Sequence, residues 1–436
     1  MPLRAHTLPL LLATLLPALA HAELAPAERR IAAAVDAEQA RSVALLQRLV
    51  EQNSGTMNLQ GVEAVARLVR PEFEALGFKV EWKPMAQTGR AGHLIATHAG
   101  TAGGKRLLLI GHLDTVFEPD SPFKGFARKG DVAEGPGVGD DKGGVVVMLA
   151  ALRAMQAAGT LAGINIEAVL TGDEEDVGEP LATARADLVA AGKRAEVALD
   201  FENLAQEDGK DMGSIARRSS NGWTLTTTGH SGHSSGIFSA GMGDGAIFEL
   251  ARIVAAFRAE LPEPDLTFNV GLLGGGQSAE LDAAGVRVAA TGKGNIIPSV
   301  ALAKGDFRTL SQEQTERVKT KMQAIVARHL PQTGAEIAFD ATVYPPVAPS
   351  AGNRALLGRL NLINRDLGLE PMAELDPLKR GAGDIGFVAA DVDSLIGLGI
   401  AGEGSHAPGE TADLSSIPRQ AKRAAILMTR LGGESR

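Results

Sequence analysis

The chain has 436 residues, 44% hydrophobic and 22% charged, enough to bury the cores of two or three domains. Its net charge of −9, with no Lys/Arg run, excludes a general nucleic-acid role, because neutralising phosphates takes a basic face. It has no cysteine, which excludes a thiol nucleophile and leaves His, Asp and Glu as candidate ligands for a cation.

In chain order, the first segment is MPLRAHTLPLLLATLLPALAHA. It combines Arg4, an apolar run from Leu8 to Leu19 and an A-x-A ending at Ala22. This is the pattern of a cleaved secretory signal, and the run is shorter than the roughly 20 apolar residues of a membrane span. The expectation is a periplasmic or secreted protein with no membrane association after cleavage.

Apolar spacing at Ile31, Val35, Val43, Leu46 and Val50 predicts helices between Ala25 and Glu51, and Gly61 to Leu76 predicts another, stopped by Gly77. Strand-like runs follow at Lys79 to Trp82, His93 to Thr97 and Arg106 to Ile110. A small-residue helix spans Gly144 to Ala158, and strands resume at Ile164 to Leu170 and Glu196 to Leu199. Strands interleaved with helices predict an α/β unit with a largely parallel or mixed sheet covered on both faces.

From Ile215 to Val343 the order changes. Strands are expected at Trp223 to Thr228, Leu266 to Leu272, Val286 to Ala290, Val300 to Phe307 and Glu336 to Val343, with helices at Gly245 to Ala259 and Gln312 to His329. This predicts an α+β unit on a mainly antiparallel sheet. Pro345, Pro346 and Pro349 mark its exit. A helix near Ala355 to Leu367 and a strand at Ser394 to Leu398 then resume the first pattern. The expected division is a signal at 1–22, a catalytic domain at 23–214 and 344–436, and an inserted unit at 215–343.

Acids and imidazoles gather where these strands end. RLLLIGHLDTV places His112 at the end of a strand, with Asp114 two residues on. In open α/β sheets ligands collect outside that edge, and a metal-bound imidazole usually donates its second N–H to a carboxylate such as Asp114. GPGVGDDKGG sets Asp140 and Asp141 before a helix. One of the pair can bridge two cations, or an Asp there simply caps the helix. AVLTGDEEDVG concentrates Asp173, Glu174, Glu175 and Asp176, a cluster that needs a cation or full solvation. Two adjacent glutamates allow one to ligate while the other moves a proton between water and a leaving nitrogen. VALDFEN adds Asp200 and Glu202, which alternation sends to one face, and GLGIAGEGSHAPGE adds His406. Together these positions predict a hydrolytic metal site.

GHLDTVF, GPGVGDDKGG, TGDEED, DFEN and GEGSHAPGE, in that order and with an insertion after the fourth, resemble the co-catalytic zinc exopeptidase family of glutamate carboxypeptidase, succinyl-diaminopimelate desuccinylase, aminoacylase and peptidase T. The resemblance covers nearly the whole mature chain. It implies two Zn²⁺, with Co²⁺ or Mn²⁺ as alternatives. His112 and Glu202 would hold one, Glu175 and His406 the other, and Asp140 would bridge them. Glu174 would be the general base, and Asp114 would orient His112. The inserted unit would act as a lid and dimerisation domain, making the protein a homodimer.

Two further segments extend the resemblance. TTTGHSGHSSG nominates His233 as a substrate-binding residue that reaches a second subunit's site, and GKGNIIPSVALAKGDFRTL nominates Asn295 and Arg308. A guanidinium suits a substrate carboxylate through paired charge-assisted hydrogen bonds. The sequence also departs from the family. DFEN stands where several relatives have Glu-Pro, so Asp200 rivals Glu202. GAGDIG, at Gly381 to Gly386, lacks the Thr that many relatives carry before Asp, a loss that bears on recognition of the substrate carboxylate; the adjacent Lys379 and Arg380 either compensate for it or form a solvated basic loop.

The implied activity is hydrolysis of an amide bond in a small peptide or N-acyl amino acid next to a free C-terminal carboxylate, with a modest preference for glutamate. An aminoacylase or dipeptidase is the close alternative. A periplasmic solute-binding protein without catalysis is the distant one.

Overall fold

The computed structural model describes residues 23–101, 103–341 and 344–435; the expected signal, residues 1–22, lies outside the described residues. A six-stranded sheet runs through the larger unit in the order Lys79–Pro84, Gly92–His98, Asn165–Thr171, Arg106–His112, Val197–Asp200, Ser394–Leu395. The first two pairings are antiparallel and the remaining three parallel, so the sheet is mixed.

The run Leu107 to Ile110 shows why this strand is central. Leu107 and Leu109 enter one core, with Val145, Leu149 and Leu152 of the helix Lys142–Ala158. Leu108 and Ile110 enter the core on the opposite face, with Leu188, Ala191 and Val388. An unbroken apolar run with period-two side chains suits a strand covered on both faces, each buried Leu contributing about 2 kcal/mol.

The inserted unit has its own core. Its four-stranded antiparallel sheet is ordered Thr267–Gly276, Val300–Arg308, Asn221–Gly229, Thr333–Phe339. The helices Ala246–Glu260 and Gln312–Val326 bury Leu250, Ile253, Phe257, Val318 and Met322 against Trp223, Leu225 and Phe307. Trp223 meets Phe257 edge-on at 5.7 Å. The chain leaves and re-enters the larger unit through segments that pair with each other: Arg217 and Val347 exchange amide bonds at 3.1 and 2.8 Å, and Ser220 and Tyr344 at 3.0 and 3.1 Å.

Several expected bounds shift for local reasons. The Val286 to Ala290 run becomes Val288–Thr291 and pairs with Ser278–Leu281 as a separate hairpin, where Asp282 Oδ1 accepts the Val286 and Arg287 amides and Gly285 turns at φ +68°. The late strand stops at Leu395 because Gly397 adopts φ +80°. The helix expected to reach His329 ends at Val326. Unforeseen was a small sheet joining Ala127–Lys129, Val132–Glu134, Ala401–Glu403 and Thr411–Asp413. No helix among the described residues is long and apolar enough to cross a membrane.

Candidate metal centre and active site

Three neighbouring strands end at one edge and deliver the chemistry. Arg106–His112 ends on His112, Asn165–Thr171 leads into Glu174 and Glu175, and Val197–Asp200 leads into Glu202. Asp140 arrives on the loop before the helix Lys142–Ala158. His406 arrives on the turn between Ala401–Glu403 and Thr411–Asp413, in a left-handed conformation at φ +66°.

Asp140 lies between the two histidines. Its Oδ1 is 2.9 Å from His112 Nε2 and its Oδ2 is 3.2 Å from His406 Nε2. His406 Nε2 also lies 3.1 Å from Glu175 Oε2. Donor atoms of His112, Asp140 and Glu175 fall within 4.8 Å of one another. Asp141, the rival bridge, is fully buried and turned inward, where its Oδ2 accepts the His112 amide at 3.1 Å. Nor does it cap the helix: at the N-cap position it makes no side-chain cap bond.

Asp200 and Glu202 occupy different places. Glu202 lines a cavity of about 510 Å³ together with Asp140, Glu174, Glu175 and His406, and Asp200 does not. Asp200 is buried behind it, sharing Arg217: Nη1 lies 2.5 Å from Glu202 and 3.5 Å from Asp200.

The electrostatics fit a cationic guest. Burial, then the charge of Glu202, pushes Glu174 well above the ordinary carboxylate range, and burial pushes Glu175 up as well. Contacts with Asp140 and Glu175 raise His406 to about 11. Burial opposes the charging of His112, but Asp114 and Asp140 outweigh it and its pKa rises. Each imidazole thus holds a proton against Asp140, where a divalent cation shared by nitrogen and oxygen donors would replace it. Two imidazoles and three carboxylates suit zinc and its borderline neighbours.

The surrounding groups fix these donors. Glu410, 1% exposed, accepts the amides of Gly137, Gly139 and Asp140 at 2.9, 2.7 and 3.0 Å, which shapes the Asp140 loop. Burial raises its carboxyl to about 7. His112 Nδ1 lies 3.1 Å from the Asp114 carbonyl and 3.4 Å from its Oδ1. The same carboxylate accepts the Thr56 hydroxyl at 2.7 Å and the Glu174 and Glu175 amides at 3.0 and 3.1 Å. Asp114 therefore organises the glutamate pair as well as His112. Asp384 of GAGDIG is buried and accepts Thr171 Oγ1 at 2.6 Å and Arg185 Nε at 2.8 Å.

The substrate-side nominees divide. Arg308 lines the cavity with Glu174. His233 and Asn295 do not line it; both are exposed, on neighbouring segments where Gly232–His233 pairs Ile296–Ile297 and the Asn295 carbonyl accepts the Ser234 amide at 2.9 Å. Lys379 is tied to Glu207 at 2.8 Å, and Arg380 donates twice to Asn203 at 2.7 Å. Arg380 is thus a buried wall of the cavity rather than part of a solvated basic loop. Sequence reading missed Glu410, Arg217, Arg185 and Tyr344. Glu410 stood inside the His406 motif, and Tyr344 is the one tyrosine of the chain.

Strand-end carboxylates and imidazoles on a mixed sheet define a metal-dependent hydrolase. The signature of peptidase family M20/M25/M40 matches residues 108–430, and the chain belongs to that family. It is 26% identical over 401 residues to carboxypeptidase G2 of Pseudomonas sp. (strain RS-16), covering 91% of this chain and 90% of that one. Its fold matches the aminopeptidase PepT of Bacillus cereus ATCC 10987 with a TM-score of 0.70, at 19% identity over 90% of this chain and 98% of that one. It also matches a dinuclear metal-binding M20 peptidase of Bacillus subtilis with a TM-score of 0.64, at 16% identity over 91% and 99% of the two chains. The protein is a metallopeptidase-family hydrolase, so the solute-binding alternative is set aside.

Proposed function

We propose that the protein is a di-zinc exopeptidase that removes a C-terminal residue, with a modest preference for glutamate, from small peptides or N-acyl amino acids. The observation that carries this reading is the shared cavity: Glu174 and the candidate ligands Asp140, Glu175, Glu202 and His406 form part of its wall, with His112 buried behind Asp140, and Arg308, from the inserted unit, forms another part. Similarity to carboxypeptidase G2 over nine-tenths of the chain supports the choice of bond.

A cation pair in this donor set would supply Lewis acidity toward the scissile carbonyl and make water acidic enough to attack near neutral pH. The chain's own residues do the rest. His112, Glu202, Glu175 and His406 would hold the cations, with Asp140 set between the two histidines. Glu174 takes the proton of the attacking water and delivers it to the leaving nitrogen. Arg308 receives the substrate carboxylate. His233, from a second copy of the chain, donates to the oxyanion as the unit closes.

Hydrolysis of N-acyl-glutamate, N-acyl-alanine and unblocked dipeptides by zinc-loaded protein tests this. The expected order is N-acyl-glutamate first; a preference for unblocked dipeptides would make the enzyme a dipeptidase instead. For export, the mature protein should begin near Glu23, and an intact Met1 terminus on periplasmic protein would remove that part of the reading.

A further inference from the structure

The peptide joining Glu174 to Glu175 is gripped at both ends. Its N–H, belonging to Glu175, donates to Asp114 Oδ2 at 3.1 Å, and its carbonyl, belonging to Glu174, accepts the Tyr344 hydroxyl at 2.5 Å. The amide before it, that of Glu174, donates to Asp114 Oδ1 at 3.0 Å. With both flanking peptide planes held, the Cα–Cβ direction of Glu174 is set by two side chains from elsewhere in the chain.

The bond directions at Tyr344 are unambiguous. A carbonyl only accepts and a guanidinium only donates. The phenol therefore gives its single proton to Glu174 and takes one from Arg185 Nη2 at 3.2 Å. Arg185, 1% exposed, is itself fixed by Asp173 Oδ1 at 2.6 Å and Asp384 Oδ1 at 2.8 Å, and the Tyr344 ring rests on Phe387 at 5.1 Å. Tyr344 lines the cavity beside Glu174 and belongs to the segment returning from the inserted unit, paired there with Ser220.

We propose that Tyr344 is a positioning residue for Glu174, holding the proton-transfer carboxylate on line through its own backbone carbonyl from the segment that carries the inserted unit. The proposal rests on the assignment of Glu174 as general base. Among the described residues the phenol's hydrogen bonds go to the Glu174 carbonyl and Arg185 alone, and Glu175 keeps its own anchors in Asp114 and His406, so removing the hydroxyl should move the base and leave the cations bound.

Tyr344→Phe deletes the hydroxyl and keeps the ring on Phe387. In the zinc-loaded full-length enzyme, kcat should fall about 10- to 100-fold, the usual cost of a misplaced catalytic group. KM should stay within about twofold, with zinc content and melting temperature unchanged. Introduced into Glu174→Gln, the same change should cost nothing further, because no base remains to be placed. An inactive Glu174→Gln enzyme beside a fully active Tyr344→Phe enzyme leaves the base standing and overturns the tether alone. Equal losses in both backgrounds, or a kcat loss that tracks lost zinc or lost folded protein, also overturn it. A Glu174→Gln enzyme with substantial turnover removes the base itself, and this proposal with it.

Discussion

The two walls of the cavity are built on different terms. At the strand edge, the Glu175 and Glu202 side chains line the cavity at 5% and 10% exposure, and behind them His112, Asp114 and Asp141 are at most 1% exposed; His406, on its turn, is the open exception at 56%. On the inserted unit, His233 and Asn295 are exposed, and the Arg308 side chain, 34% exposed, has Asp306 at 3.3 Å. The first wall is assembled within one chain; the second depends on how the inserted unit sits and on what meets it. Pre-organisation is concentrated where charge must be held without reorganising, and adaptability where a substrate must enter.

The sharpest test of the rigid wall is Glu174→Ala. Turnover should drop about 10²- to 10⁴-fold, the range of general acid–base catalysis, while metal analysis finds full occupancy; substantial remaining activity would take Glu174 out of the role. Independence of the two units is tested by Trp223→Ala, which should cost the inserted core about 3–5 kcal/mol. Calorimetry should show one transition moving while zinc content holds. A uniform shift of all unfolding would merge the two regions into one cooperative block.

Arg308→Ala probes the adaptable wall. It should lower kcat/KM by about 10- to 100-fold for a substrate with a free carboxylate, matching the roughly 1.5–3 kcal/mol of a charged hydrogen bond, and change little for a C-terminal amide. Equal losses on both substrates would deny Arg308 that contact. The smallest effect is expected for Glu410→Gln, which puts an amide NH₂ against N–H groups that now meet only oxygen. Zinc affinity should weaken about tenfold, as for changes in residues supporting metal ligands; competition with a chelating dye reads it, and unchanged affinity would detach Glu410 from the centre.

Much of the rigid wall could be read from sequence because strand ends are legible. The run Leu107 to Ile110 announces a strand covered on both faces, and residues just beyond the carboxyl end of such a strand in an open sheet face the ligand edge. The rest depended on long-range contacts. Nothing local says that Glu410 accepts three amides some 270 positions away, that Asp384 accepts the Thr171 hydroxyl, or that Asp141 turns inward while its neighbour turns out. The four-strand sheet beneath His406 was missed because its strands are three residues each, too short for alternation to register.

The bridge between Ser220 and Tyr344 has a topological consequence. Two antiparallel neighbours are what a hairpin joins, so the whole excursion between them hangs from a narrow neck and is detachable in principle. Splicing Ser220 to Tyr344 through a short turn would leave the six-stranded body with every candidate ligand and the tyrosine in place. A spliced chain that folds and takes up zinc yet fails to recognise carboxylates would separate chemistry from selection in a single molecule; one that cannot fold would show that the body needs its appendage.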